Sequence, residues 1–252
     1  MSEISVTQQH HVLSLEINRP SAKNAINQAM YKALADALEE NQTNTSVRAI
    51  LLYAQNGVFT SGNDMQDFLA ISNGAQDNHA SRFIKALIRN KKPIVAVVEG
   101  PAIGIGTTLL QFCDFVYISH HALFKTPFAQ LGLCPEFASS RYLARLIGVR
   151  KAKAMLMLGE VMTAEEALEL GFATGLSHNP MEDAQACLEQ LAQLPPSALQ
   201  ISKSMLVDYE VEELVKTVDI ENTQLFHLLT QPEAREAITA FLEKRPADFS
   251  QF

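Results

Sequence analysis

Three short apolar runs, each too brief for a globular helix and each followed by a turn and then by helical spacing, constrain this chain more than any other feature. Ala49 to Tyr53 and Ile94 to Val98 have strand length and no polar face, and Phe115 to Ile118 is a third run of the same kind. A strand apolar on both sides is covered on both sides. Strand, turn and helix recurring in that order imply parallel pairing through helical crossovers, because parallel neighbours need long connections. The fold class is therefore α/β, and 252 residues with 47% apolar content suffice for one sizeable domain of that class.

The flanks are read the same way. Val12, Leu13, Leu15 and Ile17 alternate as a strand before Arg19-Pro20 stops the ladder, which predicts an N-terminal hairpin. Met30, Leu34 and Leu38 recur every four residues, so a helix runs from Asn27, its N-cap, to Asn41. After Gly171 the strand signal fades, and the stripe Met181, Ala184, Leu188, Leu191 ends at Pro195-Pro196. This divides the chain into a core, 1–195, and a helical region, 196–252. In that region Val211, Leu214, Val215, Val218, Leu225 and Leu229 mark a long helix, and Pro232 opens another to about Lys244. So short a helical tail is expected to dock on the main domain or on another subunit.

Composition removes several classes of function. A formal net charge of −8 with no long basic run argues against nucleic acid as a partner, while a small phosphorylated ligand needs only a few amides or lysines. No stretch approaches the apolar length of a membrane span. Met1 to Gln9 lacks the basic-then-apolar order of a secretory leader, and the ending Asp248-Phe-Ser-Gln-Phe252 carries no peroxisomal Ser-Lys-Leu. The expected location is cytoplasmic. Cys113, Cys134 and Cys187 form no CxxC pair, and the seven histidines make no HxxxH, so neither disulfides nor a metal is expected. The GxxxxGK motif is absent, and Gly104-Ile-Gly106 has Leu109 where a dinucleotide fingerprint needs its third glycine. Ser61 has no glycine two residues before it, which excludes the hydrolase elbow. No cofactor is expected.

Three places carry candidate chemistry. Gly104-Ile-Gly106 joins a buried strand to a helix; it is either a tight packed turn or a loop that aims the Ile105 N–H at developing negative charge on a ligand. The loop Phe59-Thr-Ser-Gly-Asn-Asp-Met-Gln-Asp-Phe68 has Gly62 for close backbone approach, and Asn63 or Asp64 to cap a short helix. Glu136 stands just before a helix. It is either an acid favoured by the helix dipole or, flanked by Leu131, Leu133, Cys134 and Phe137, a desolvated base.

Taken in order, Asn18-Arg-Pro, Lys23-Asn-Ala-Ile, Phe59-Thr-Ser-Gly-Asn-Asp, Lys92-Pro-Ile-Val-Ala, Gly104-Ile-Gly, Cys113-Asp, Thr126-Pro-Phe, Thr163-Ala-Glu-Glu-Ala with Gly171, and Ala240-Phe-Leu-Glu-Lys-Arg resemble the crotonase (enoyl-CoA hydratase/isomerase) family over nearly the whole chain. The resemblance implies a spiral core of ββα units, a helical C-terminal trimerisation region giving a homotrimer or a dimer of trimers, and an acyl-CoA thioester as substrate. It places two N–H donors, those of Asn63 and Ile105, on the thioester oxygen. Where family hydratases carry two glutamates, this chain has Thr108 and Phe128, neither of which can act as a base.

The stretch from Thr126 to Ser140 is similar to peroxisomal-type Δ3,Δ2-enoyl-CoA isomerases, in which the glutamate matching Glu136 is the catalytic acid/base. The implied activity is that isomerisation; the alternatives are another crotonase reaction (hydration, thioester hydrolysis, decarboxylation) or a non-catalytic acyl-CoA-binding module. CoA is placed by the same resemblance at Lys23, Ala25, Ile26, Ser61, Gly62, Asp64 and Met65, beside Gly104 and Phe128, with Phe241 and Lys244 reaching a neighbouring subunit's CoA. Pocket depth, and with it acyl-chain length, depends on how the segment from Phe68 to Ile88 folds.

Overall fold

The computed structural model describes residues 2–67 and 79–252. The first hairpin forms as its alternation predicts: β1 (Ile4–Gln9) pairs antiparallel with β2 (Val12–Ile17) across His10 and His11, both at positive φ. The apolar runs become β3 (Ala49–Ala54), β4 (Ile94–Val98) and β6 (Phe115–Ile118). They join β2 in a sheet of order β1-β2-β3-β4-β6-β9 in which every pair after the hairpin is parallel, with β9 (Gly175–Leu176) at the far edge.

A second sheet lies beside the first. It is built from β5 (Pro101–Ile103), β7 (Leu123–Lys125) and β8 (Met162–Thr163), in the order β5-β7-β8. Strand β4 thus passes into β5 and β6 into β7, so these two turns of the chain each give one strand to each sheet before the helical stretch. These second-sheet strands and β9 are two or three residues long, which is too short to leave a period in the sequence.

Helix α1 (Gln28–Asn41) is capped by Asn27, whose side chain accepts the Met30 N–H at 2.9 Å, and it buries the predicted stripe Met30, Leu34 and Leu38. Helix α2 (His79–Ile88) packs on it through Phe83. Residues 68–78, the first part of the segment expected to set pocket depth, lie outside the described residues. Next come α3 (Ile105–Thr108), α4 (Ser139–Ile147), α5 (Val149–Leu158) and α6 (Ala164–Glu169). The Thr163-Ala-Glu-Glu166 segment is a complete capping box for α6.

Helix α7 (Pro180–Gln193) covers the outer face of the sheet, placing Ala184, Leu188 and Leu191 against Ala49, Leu51, Val95 and Val97. The C-terminal region is helical: α8 (Pro196–Leu229) is followed by α9 (Pro232–Glu243), each opening on a proline. Leu214, Val215 and Val218 of α8 belong to the main core cluster, and Leu225 and Leu229 join Phe128, Leu133 and Ile238 in a smaller one. Among the described residues no helix is long and apolar enough to cross a membrane.

Candidate active site

The site is built where three loops meet. In the first, Lys23 and Asn24 adopt left-handed backbone conformations, and Asn24 is fixed by accepting the Arg19 N–H at 2.8 Å and donating to the Val58 carbonyl at 2.7 Å. This turn runs alongside the second loop as a short parallel ladder. Ser61 N–H donates to the Lys23 carbonyl at 3.1 Å, Ile26 N–H to Gly62 at 2.9 Å and Asp64 N–H to Ile26 at 3.0 Å.

The second loop in turn lies against the glycine loop. Ile103 N–H donates to the Thr60 carbonyl at 3.0 Å, and a Cβ on Gly62 would sit 3.0 Å from the Ile103 carbonyl oxygen. Gly62 also has φ +98°, a region closed to most side chains, so both conformation and space require glycine here. Among the described residues, neither the Asn63 nor the Ile105 N–H has a protein acceptor, although Ile105 is fully buried and Asn63 partly so. Two donors without protein acceptors, on adjoining loops, are what an oxyanion needs.

Glu136 arrives from the third direction, at the end of the Leu133-Cys134-Pro135 loop. It is 5% exposed, and a Cβ on Gly104 would lie 4.0 Å from its Oε1. Asn63 Nδ2 donates to both carboxyl oxygens, at 3.2 and 3.4 Å, while the Tyr31 hydroxyl donates to Asn63 Oδ1 and so fixes which end of the amide faces the acid. Burial pushes the Glu136 carboxyl up from 4.5 to about 7; the charge of Glu221 adds to this, and the Asn63 hydrogen bond opposes it. Burial likewise holds Tyr31 well above its ordinary value, so it remains a donor at neutral pH.

Glu136 and Asn63 sit between two small cavities. One, of about 50 Å³, is lined by Ser61, Gly62, Asn63, Met65, Gly104, Phe128 and Glu136 from the sequence-derived set, with Ile103, Pro127, Leu131, Leu133 and Leu225 completing an apolar wall. The other, of about 30 Å³, has Ile26, Asn63 and Glu136 from that set together with Tyr31, Asp67, Ile84, Asn222, Leu225 and others. Lys23, Ala25, Asp64 and the buried Ile105 lie outside both linings, Ile105 directly after the lining residue Gly104. Asp64 holds the loops together: its Oδ2 takes the Arg19 guanidinium at 2.6 Å and its Oδ1 accepts the Gln66 N–H at 2.9 Å. Phe241 and Lys244, at the end of α9, also lie outside both cavities, with Phe241 exposed.

The two positions of the missing glutamates are distinct in character. Thr108 is fully buried within the short helix after the glycine loop, whereas Phe128 presents a ring to the larger cavity. The other acid on a cavity wall, Asp67, is engaged by the Gln28 N–H at 2.8 Å at the start of α1. Sequence reasoning missed Tyr31, Asp67, Glu221, Asn222 and the side-chain role of Asn63. Tyr31 lies beside the apolar stripe of α1 and Glu221 inside a helix rich in acids, so neither leaves a local signal.

The family model for enoyl-CoA hydratase/isomerase matches residues 7–252. Enoyl-CoA delta isomerase 2 of Rattus norvegicus is 35% identical over 251 residues, covering 96% of this chain; the chain spans 64% of that protein's length. The 2,3-dehydroadipyl-CoA hydratase of Escherichia coli is 33% identical over 253 residues and 99% of both chains. Among solved structures, an enoyl-CoA hydratase/isomerase from Pseudoalteromonas atlantica superposes with a TM-score of 0.93 at 37% identity, covering 99% of this chain and 100% of the other. Pseudomonas aeruginosa OdaA does so with a TM-score of 0.91 at 40% identity, over 96% and 99%. With its motifs, its two-sheet spiral and a family match along almost its whole length, this chain belongs to the enoyl-CoA hydratase/isomerase, or crotonase, family.

Proposed function

We propose that this protein is a Δ3,Δ2-enoyl-CoA isomerase in which Glu136 carries the proton. The observation that carries this reading is a buried carboxyl on the walls of both cavities, poised near neutral pH beside the loops of the two main-chain donors, with Thr108 and Phe128 where a hydratase has its acids. The ionised Glu136 takes a proton from C2 of a 3-enoyl thioester. The electrons move toward the carbonyl, and the charge on its oxygen is met by the N–H groups of Asn63 and Ile105, each worth on the order of 3 kcal/mol. Protonated Glu136 then delivers the proton to C4, which leaves the double bond between C2 and C3 and returns the carboxylate. No water is consumed, and one acid serves both transfers because its pKa lies near the working pH.

The apolar wall of Met65, Phe128, Leu131 and Leu133 suits an acyl chain. Main-chain groups of residues 23–26 and 61–65 would hold the CoA moiety, with Phe241 and Lys244 serving a neighbouring subunit. The test is turnover of 3-enoyl-CoA to 2-enoyl-CoA, with isomers separated by chromatography, for wild type and Glu136→Gln. The wild-type kcat should rise with pH through about 7, since only the ionised acid accepts the C2 proton, and Glu136→Gln should lose on the order of a hundredfold or more. Equal turnover by both proteins rejects the assignment. Hydration of a 2-enoyl-CoA faster than isomerisation would move the protein to the hydratase class.

A further inference from the structure

Glu221 is a second buried acid near the site, and the reaction above gives it no task. It lies on α8, one residue before Asn222 and one turn before Leu225, both of which line the cavities around Glu136. Its carboxylate faces the main chain just after Glu136: Oε2 accepts the Ala138 N–H at 2.6 Å and Oε1 the Ser140 N–H at 3.0 Å.

The turn held in this way is unusual. Phe137 and Ala138 are consecutive non-glycine residues in the left-handed region, at φ 61° and 55°, and both are fully buried. Such a conformation persists only where its surroundings enforce it. On the side-chain face the ring of Phe137 stacks on Phe112, centroids 5.3 Å apart, and meets Phe83 edge-on at 6.1 Å. On the main-chain face the constraint comes from Glu221 and from Ser139, whose hydroxyl donates to the Glu136 carbonyl at 2.6 Å.

We propose that Glu221 is a positioning residue for Glu136: through two main-chain hydrogen bonds it fixes the Phe137–Ala138 turn, and thereby where the Glu136 carboxyl points, while keeping a second carboxylate behind it. The assignment of a task to this pair rests on Glu136 being the proton carrier. The titratable groups around Glu136 are Tyr31 on α1, Asp67 after the Asn63 loop, Cys134 on its own loop and Glu221 on α8. Burial keeps Tyr31 and Cys134 neutral at neutral pH, and Asp67 is engaged at the start of α1. Burial raises the Glu221 carboxyl as well, opposed by its hydrogen bonds from Ser140 and Ala138, and among these groups it is the one whose charge acts on Glu136.

The test titrates Glu136 by its carboxyl infrared band, assigned through the Glu136→Gln difference spectrum, in full-length wild type, Glu221→Gln and Glu221→Ala. Loss of the like charge should lower the Glu136 midpoint in both variants. In 3-enoyl-CoA turnover, Glu221→Ala should lose kcat by on the order of ten- to a hundredfold with KM within about twofold, because misplacing the base affects chemistry more than binding. Glu221→Gln keeps an oxygen for one of the two amides and should recover part of that loss. A Glu136 midpoint unchanged in the variants overturns the proposal. So does a loss of activity that disappears once rates are corrected for the folded fraction. If wild type fails to isomerise while the midpoint still moves, the isomerase reading falls and the positioning of Glu136 stands. If Glu221→Ala does not fold, the midpoint of Glu221→Gln decides.

Discussion

A carboxyl kept out of water has an effect on stability as well as on rate. Glu136 rises from 4.5 to about 7 on folding, so the folded state binds this proton more tightly than the unfolded chain does. Its contribution is fully present below pH 4.5 and is lost as the pH rises through 7, by roughly 3 kcal/mol in all. Glu136→Gln should therefore melt higher than wild type at about pH 8, with the two converging near pH 4, as followed by calorimetry. Asn63 acts in the opposite direction. Its side chain favours the ionised acid, so Asn63→Ala should move the acid limb of the kcat profile above its wild-type position while leaving the main-chain N–H in place. In the sequence the apolar neighbours of Glu136 leave two readings open, a helix-dipole acid or a desolvated base, and the structure decides for desolvation, with the carboxyl 5% exposed. Its partners are not legible there: Asn63 lies 73 positions away in the chain, and no local pattern marks an amide that will face an acid.

The loops carry their constraints in glycines and threonines. A Cβ on Gly106 would come within 2.4 Å of Thr60 Cγ2. Thr60 has little freedom to move, since its hydroxyl donates to the Asn24 carbonyl at 2.6 Å and accepts the Gly62 N–H at 3.1 Å, joining the two loops that frame Asn63. Gly106→Ala should cost about 1–3 kcal/mol in denaturant unfolding and lower kcat as Asn63 is displaced. Retained stability with unchanged kcat would show that the contact relaxes without effect. Legibility at this scale follows length. Strand β2, strand β4 and helix α1 emerge at their predicted places because each spans enough residues to show a period or a continuous apolar run, whereas β5, β7, β8 and β9 are called into existence by their neighbours alone.

The helical tail is attached to the whole rather than appended to it. Leu214, Val215 and Val218 fill the main core, and Leu225 closes the wall beside Glu136. The same tail leaves Ile201, Met205, Leu206, Ile220, Phe241 and Leu242 exposed, an apolar surface consistent with the trimer the family resemblance implies. Sedimentation should give a mass three or six times 27.8 kDa, and a compact monomer would contradict it. The α/β class and the long C-terminal helices were readable because periodicity reports on which face is covered. The identity of what covers it was not. One consequence concerns the order of synthesis. During synthesis the Asn63 and Ile105 loops emerge well before the α8 segment that carries Glu221 and Leu225. The wall beside Glu136 therefore stays open on one side until α8 docks.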